Sequence, residues 1–350
     1  MTVRWLEALD AESLPLAGSK INRLPELARL GLTVPPGFVV TTEAYRAFLD
    51  ASGIEREIDA RIATLADPRD VDALTACSAR IAERFEGVPL DDALTSAIET
   101  AYDELCDRRT ALALPVAVRS SATGEDAADA SFAGQFETYL GVTGAAEVVS
   151  SVRRCWASLF TPRALGYRRE RGLAHRDSPI AVGVLELVNA QASGVAFSIH
   201  PVSGKRDRMV IESSWGWGEA IVQGLVTPDH FEIDKADGRV LQREIRTKTV
   251  VSMFDYQRGR VVECAMPVRL RERVSLDDEQ LAAIASAVKQ IETHYGYPVD
   301  VEWVLDCHRR AGEPITIVQA RPETVQVATD KPAPTWDVLS AANKYVFTKR

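Results

Sequence analysis

Through the first third of the chain, apolar residues recur at three- and four-residue spacing over 44–49, 54–65, 71–85 and 93–105. That period puts them on one face of a helix, so four amphipathic helices are predicted there. Another helix is predicted over 21–30, just after Ala17-Gly18-Ser19-Lys20. Pro35-Pro36-Gly37 interrupts the pattern, residues 37–41 read as a short strand, and Thr42 with Tyr45 beyond it marks a helix start. From residue 115 onward the period shortens to two. Strands are predicted over 115–120, 135–141, 179–188, 193–199, 208–213, 230–234 and 239–250, with a last pair over 299–305 and 314–319 around Ala311-Gly312. Two helices interrupt them. One covers 145–160, where Val148, Val152, Trp156 and Leu159 share a face; the other covers 276–294, with Leu281, Ile284, Val288 and Ile291 in one stripe. A helical front and a sheet-rich back give an α+β chain in two lobes, expected over 1–180 and 181–326. A tail over 327–350 follows, with Lys331-Pro332-Ala333-Pro334 as a linker signal.

Composition narrows the function classes. At 350 residues the chain exceeds what one core usually supports, since single cores stop growing near ~250–300 residues. A net charge of −9 argues against generic nucleic-acid binding, which needs a basic face, but leaves room for a local basic pocket. The opening MTVRWLEALDAESLP has acids where a signal peptide would have its apolar core, and the apolar run over 179–188 is broken by Glu186. No membrane partner is expected, and a cytoplasmic location is. Five scattered cysteines with no C-x-x-C pair suggest neither a disulfide framework nor a zinc site.

Four constellations carry candidate chemistry. Residues 116–142, VAVRSSATGEDAADASFAGQFETYLGV, place Arg119 before a run of small residues that includes Ser120, Ser121, Thr123 and Gly134. Small residues let backbone approach a ligand closely, and a guanidinium suits phosphate. On residue chemistry alone, a phosphate loop and a Ser/Ala-rich solvent loop both fit. Residues 213–231, SSWGWGEAIVQGLVTPDHF, offer Gly216 and Gly218 for close anion approach. They match neither the dinucleotide fingerprint nor the Walker A loop. Asp300 and Glu302 share one face of a strand, as do Gln319 and Arg321 on the next, a set suited to Mg²⁺ and phosphate. The same pattern also suits an acidic surface strand beside an arginine. Lys20, at a helix start, is a candidate phosphate contact, although a lone lysine there is usually just solvated. The five histidines, His175, His200, His230, His294 and His308, are scattered, and none lies in a loop suited to a phosphoryl carrier.

These stretches, with IETHYGYPVDVEW, IVQARPETV, PPGFVVTTEAYRAFL and ASGVAFS, closely resemble the N-terminal nucleotide-binding domain of the phosphoenolpyruvate synthase and pyruvate phosphate dikinase family, over about residues 15–326. The resemblance implies an ATP-grasp-like, two-lobed fold with ATP in the cleft. By position it implies Lys20, Arg119 and Arg321 as phosphate-binding cations. It implies Asp300, Glu302 and Gln319 as Mg²⁺/ATP ligands. Glu186-Leu187-Val188 matches the hinge whose backbone reads adenine, and Glu212 begins the strand end that leads to Gly216 and Gly218. Ala17, Phe136 and Trp217 depart from the usual glycine, glutamine and leucine. Full-length members continue into a swivelling domain with a Thr-Ser-His phosphocarrier, and no Thr-Ser-His occurs here. The resemblance therefore implies the ATP-binding subunit of a split dikinase, similar to phenylphosphate synthase or 4-methylbenzyl phosphate synthase. Its partner subunit would carry the phosphohistidine and a site for a hydroxyl acceptor. The ATP-binding domain of a single-chain phosphoenolpyruvate synthase or rifamycin phosphotransferase, and a non-catalytic nucleotide sensor, stand as alternatives.

Overall fold

A computed structural model describes residues 2–67, 69–123, 126–127, 130–131, 137–171, 179–218, 221, 224–255 and 257–323. The chain divides into two compact units, Met1–Leu187 with Tyr256–Arg260, and Val188–Asp255 with Val261–Arg350. Strands of the first unit are β1 (Val3–Trp5), β2 (Gly37–Val40), β3 (Val116–Ala122), the short β4 (Asp126–Ala127) and β5 (Ala130–Ser131), β6 (Thr138–Val142) and β7 (Ile180–Glu186). Five of them form a sheet ordered β1-β2-β7-β3-β6, with every neighbouring pair antiparallel. Because β7 lies inside this sheet, the first unit runs to Leu187 rather than ending at 180.

Both faces of this sheet are covered, which explains why its strands read as nearly continuous apolar runs. One face packs on a helical core. Phe38, Val40, Val116, Val118, Val182 and Val184 join residues of α2 (Thr42–Ser52), α3 (Ile54–Ala63), α4 (Val71–Gly87), α5 (Asp92–Arg108) and α6 (Ala145–Ala157). Asp70 and Asp91 cap α4 and α5 by accepting the N–H groups of Ala73 and Leu94. The other face packs Val39, Ala181 and Leu185 on Ala17, Ile21 and Leu24 of α1 (Leu14–Arg29). The helix predicted over 21–30 thus starts earlier, kinks at Gly18 (φ 69°), and holds Lys20 within it.

In the second unit, β8 (Ala190–Phe197), β9 (Arg208–Trp215), β10 (Asp229–Asp234), β11 (Val240–Glu244), β12 (Val250–Asp255), β13 (Arg260–Ala265), β14 (Val299–Asp306) and β15 (Thr316–Pro322) follow. Six of these form an antiparallel sheet ordered β11-β10-β9-β8-β14-β15, while β12 pairs with β13. A helix, Asp278–Tyr295, opens on an Asp277/Gln280 capping box, stops at Gly296 (φ 74°), and packs on β8 and β14. Its predicted stripe of Leu281, Ile284, Val288 and Ile291 is buried. The single strand predicted over 239–250 is two strands, β11 and β12. Between them the chain turns inward, where Lys248 is fully buried on Asp229 and the Arg246 N–H donates to the same carboxylate at 2.9 Å.

Candidate functional site

In the first unit, β3 and α1 bring the predicted cations to one face. Cross-strand partners share a face, and Ala117, Arg119 and Ser121 stand opposite Leu185, Gly183 and Ala181. Leu185 and Ala181 pack on α1, so Arg119 and Ser121 point to the α1 side. The kink at Gly18 is what lets α1 dock there. A Cβ at Gly18 would lie 2.2 Å from the Ser121 carbonyl oxygen. With that approach made, the Ile21 N–H donates to Ser121 Oγ at 3.2 Å, and Ser19 Oγ donates to the Ala122 carbonyl at 3.3 Å. Gly183 completes the fit, because a Cβ there would lie 2.2 Å from Cδ1 of Ile21. Lys20 and Arg119, both half-buried, therefore belong to one small region of the fold.

Ser120 does not join them. It alternates with Val116 and Val118 onto the helical face, is buried, and donates its hydroxyl to the Glu137 carbonyl at 3.0 Å. Thr123 follows β3 in a turn and is half-buried. The loop that follows β3 carries the short β4–β5 ladder, Asp126 opposite Ser131. Gly134 lies outside the described residues.

The predicted adenine-reading segment ends β7. Its first two backbone donors are occupied: the Glu186 N–H donates to the Pro36 carbonyl and the Leu187 N–H to the Pro115 carbonyl, each at 2.9 Å. An antiparallel pair would return two bonds, but a proline has no N–H to give. Across from each proline, the carbonyl of Glu186 or Leu187 therefore receives no ladder donor. The Val188 carbonyl accepts the Trp217 indole N–H at 2.6 Å. Glu186 Oε1 pairs with Arg109 Nη2 at 2.9 Å near the surface.

In the second unit the expected carboxylates and their partners stand in register. Asp300 faces Arg321 and Glu302 faces Gln319 on β14 and β15. Arg321 Nε and Nη2 both reach Asp300 Oδ2, at 2.7 and 2.6 Å, and Asp300 and Gln319 are buried. Pairing across β8 extends the same face to Glu212 of β9 and His230 of β10, since Glu302 faces Val195, Val195 faces Glu212, and Glu212 faces His230. Val301, Trp303, Ala196, Ile211 and Phe231 alternate with them and are buried on the other side. These charged and amide side chains thus share one side of the sheet, and large apolar side chains fill the other. Asp300, Glu302 and Gln319 offer only hard oxygen donors, which fit Mg²⁺ and not a thiophilic metal.

The loop glycines divide. Gly216 (φ 73°) is required by close backbone packing, because a Cβ there would lie 2.2 Å from the Ser252 carbonyl oxygen. The Trp217 N–H then donates to that carbonyl at 3.0 Å, so Gly216 serves the β12 contact rather than leaving room for an anion. At Gly218 the nearest atom to such a Cβ is Ser193 Oγ, at 3.6 Å.

Sequence reasoning passed over three features. His230 Nδ1 lies 3.6 Å from Glu212 Oε1, and that contact, against the effect of burial, raises the imidazole above its ordinary value. Glu323, just past β15, is pushed up to about 7 by burial and by the Asp300 carboxylate, with Arg321 opposing. The buried Asp229 carboxylate accepts from the Lys248 ammonium, from the Arg246 N–H, and from the N–H and hydroxyl of Ser275 at 2.9 and 2.7 Å. Only the strand predicted over 230–234 hinted at His230; the others depend on contacts the sequence does not encode locally.

The family described as the AMP/ATP-binding domain of pyruvate phosphate dikinase matches residues 14–338. A probable phosphoenolpyruvate synthase of Methanothermobacter thermautotrophicus is 39% identical over 328 residues, which cover 93% of this chain and 47% of that protein. One of Archaeoglobus fulgidus is 42% identical, covering 93% and 42%. The phosphoenolpyruvate synthase of Aeropyrum pernix is 38% identical, covering 92% and 42%. The chain spans less than half the length of these relatives.

Proposed function

The chain belongs to the pyruvate phosphate dikinase AMP/ATP-binding domain family, and on that premise we propose that it binds ATP with Mg²⁺ and begins a phosphoryl transfer to a histidine. The reading rests above all on the in-register set on β14 and β15, Asp300 with Arg321 and Glu302 with Gln319. Phosphoryl transfer needs mainly alignment and charge neutralisation, and the oxygen ligands of this set with the adjacent Arg321 suit both.

Asp300, Glu302 and Gln319 would hold Mg²⁺, which when bound neutralises charge on the phosphate oxygens. Arg321, fixed by Asp300, is the neighbouring phosphate contact. Lys20 and Arg119 hold phosphate oxygens in the first unit, with Ser121 acting through its grip on the Ile21 N–H. The carbonyls of Glu186 and Leu187, left without ladder donors, suit the exocyclic amine of adenine. Glu212, Gly218 and Thr123, with Ser120 and Gly134, complete the nucleotide-binding assignment. Ser120 acts there only by holding β3 in place, because its hydroxyl and its N–H both donate to the Glu137 carbonyl.

The β-phosphoryl group goes to the histidine of a Thr-Ser-His segment, which these 350 residues do not contain. The γ-phosphate passes to water as inorganic phosphate, AMP leaves, and the phosphohistidine hands its group to a hydroxyl acceptor. In the split arrangement the histidine sits on a separate cytoplasmic subunit and the acceptor is a phenol or benzylic alcohol. In the single-chain arrangement both lie further along one polypeptide, a reading favoured by the length of the phosphoenolpyruvate synthase relatives. A bare nucleotide sensor has no need of the oxygen-ligand set.

The test is reconstitution. Alone, these 350 residues should bind ATP·Mg²⁺ and form no phosphorylated small molecule. With a Thr-Ser-His protein added, AMP and phosphate should appear in equal amounts, and mutation of its histidine should abolish product while ATP binding survives. ADP as the nucleotide product, or acceptor phosphorylation by the isolated chain, would overturn the reading.

A further inference from the structure

At the end of β14 away from Asp300 and Glu302, three consecutive side chains come together. In an extended strand, consecutive side chains point to opposite faces, so sequence neighbours do not converge on one ligand. Here the register shifts between Leu305 and Asp306, the strand ends, and residues 307–308 turn. Such a shift re-aims the side chains beside it. As a result, a carboxylate oxygen of Asp306, Sγ of Cys307 and a ring nitrogen of His308 all lie within 4.8 Å of one another. Asp306 is half-buried, while Cys307 and His308 are exposed.

The backbone of this turn is held in place. Asp306 Oδ1 accepts the His308 N–H at 2.8 Å, and the Asp306 carbonyl accepts the Arg309 N–H at 3.0 Å. The Cys307 N–H donates to the Asn189 carbonyl at 2.8 Å. Arg309, the next cation along the chain, is engaged by Glu279 at 2.8 Å. None of these bonds uses Sγ, the imidazole or Asp306 Oδ2, and donors on a fixed backbone lose less freedom when a ligand binds.

The donor types choose the ion. Sulfur, nitrogen and oxygen together suit a borderline-soft divalent metal, whereas Mg²⁺ takes oxygens alone. Tetrahedral zinc, with bonds of ~2.0–2.3 Å, sets its ligand atoms about 3.3–3.8 Å apart, a closure that side-chain rotation at exposed positions can supply. Burial and the Asp306 carboxylate both push the Cys307 thiol up, and a coordinated cation reverses this by displacing the thiol proton.

We propose that Asp306, Cys307 and His308 form a three-ligand site for a thiophilic divalent ion, zinc being the abundant example, with a fourth position open to water. An ion held there clips the start of the connection from β14 to β15. The site stands apart from the nucleotide reading, because Asp300 and Asp306 lie at opposite ends of β14, about 20 Å from each other at the usual rise of a strand. Cysteine spacing could not announce it, since the set draws on one cysteine alone.

Co²⁺ titrated into the reduced, metal-free 350-residue chain tests the site. A thiolate-to-cobalt charge-transfer band should appear in the near ultraviolet, saturate at one ion per chain, vanish on adding Zn²⁺ and survive excess Mg²⁺. Cys307→Ser should abolish the band, while Cys264→Ser, at the other incompletely buried thiol, keeps it. His308→Ala should weaken Co²⁺ binding by at least ~10-fold, since even losing a hydrogen bond behind a metal ligand costs about that. Both ligand variants change exposed side chains, so metal-free urea titrations should match wild type. No charge-transfer band in the wild-type chain, a band that persists in Cys307→Ser, or unchanged affinity in His308→Ala would overturn the proposal.

Discussion

In the five-stranded sheet, covered by helices on both faces, Arg119 stands on β3 near the place where a kinked helix comes down on Ser121. In the six-stranded sheet charged and amide side chains gather on one face and meet as cross-strand partners: Asp300 with Arg321, Glu302 with Gln319, Glu212 with His230. The first arrangement hangs on the absence of one methyl group, at Gly18. The second hangs on register, since a one-residue slip would turn every carboxylate to the apolar side. Two sets of residues with the chemistry to suit phosphate and metal can thus be built by different physics, one by steric permission and one by periodicity.

The contrast can be broken hardest in the second unit. Removing one member of the fully buried Asp229–Lys248 pair, by Asp229→Ala or Lys248→Ala, should cost about 3–5 kcal/mol, because the other charge stays buried and unpaired. Urea titration of each variant, set beside Asp229→Ala/Lys248→Met, checks this; the double variant should recover part of the loss.

Next is Gly18→Ala, which adds a Cβ at positive φ against the Ser121 carbonyl and should cost about 2–4 kcal/mol. ATP affinity should fall with it, because Lys20 rides on the displaced turn. Normal stability and normal ATP affinity together would show that the docking of α1 is not what places Lys20.

Arg119→Ala should sharpen the comparison by separating site from scaffold. Loss of a charge-assisted phosphate contact worth roughly 1.5–3 kcal/mol should weaken ATP about ten- to a hundredfold, while denaturant stability stays near wild type. Calorimetric titration with wild-type affinity would remove Arg119 from the site.

The smallest effect concerns pH. Glu212, Glu232 and Glu244 face His230, whose folded-state value is raised above 6.5. A raised value contributes stability that is full below the unfolded value, near 6.5, and is lost as pH rises through the folded one. Unfolding of the second unit should therefore become easier from about pH 6.5 upward, by well under a full histidine's worth of binding energy, and His230→Gln should flatten the slope. An unchanged slope would mean that the Glu212 contact does not persist in solution.

Much of the polar sheet was legible in the sequence, because alternation of period two is local. Asp300 and Glu302, and Gln319 and Arg321, could be put on shared faces before any pairing was known. The cation region was not legible in the same way. Its key bond, from the Ile21 N–H to Ser121 Oγ, joins residues 100 apart in sequence. Nor does alternation reveal an inward turn: residues 239–250 read as one strand because Lys248 looks like any solvated lysine until Asp229 is beside it. Gly216 shows the converse, a glycine that suggests a ligand and instead accommodates the backbone of β12.

Pro36 and Pro115 do more than expose two carbonyls at the end of β7. A sheet edge tolerates sliding when every backbone position can bond equally well with its neighbours. Here, the smallest slip that keeps each side chain on its own face is two residues, and sliding β7 that far toward its own C-terminus along β2 would set Pro36 against Val184. A bond would then be lost in the sheet interior, where no water can replace it. Two missing hydrogens thus act as stops that fix where β7 must end, and alignment is enforced by positions at which pairing is forbidden.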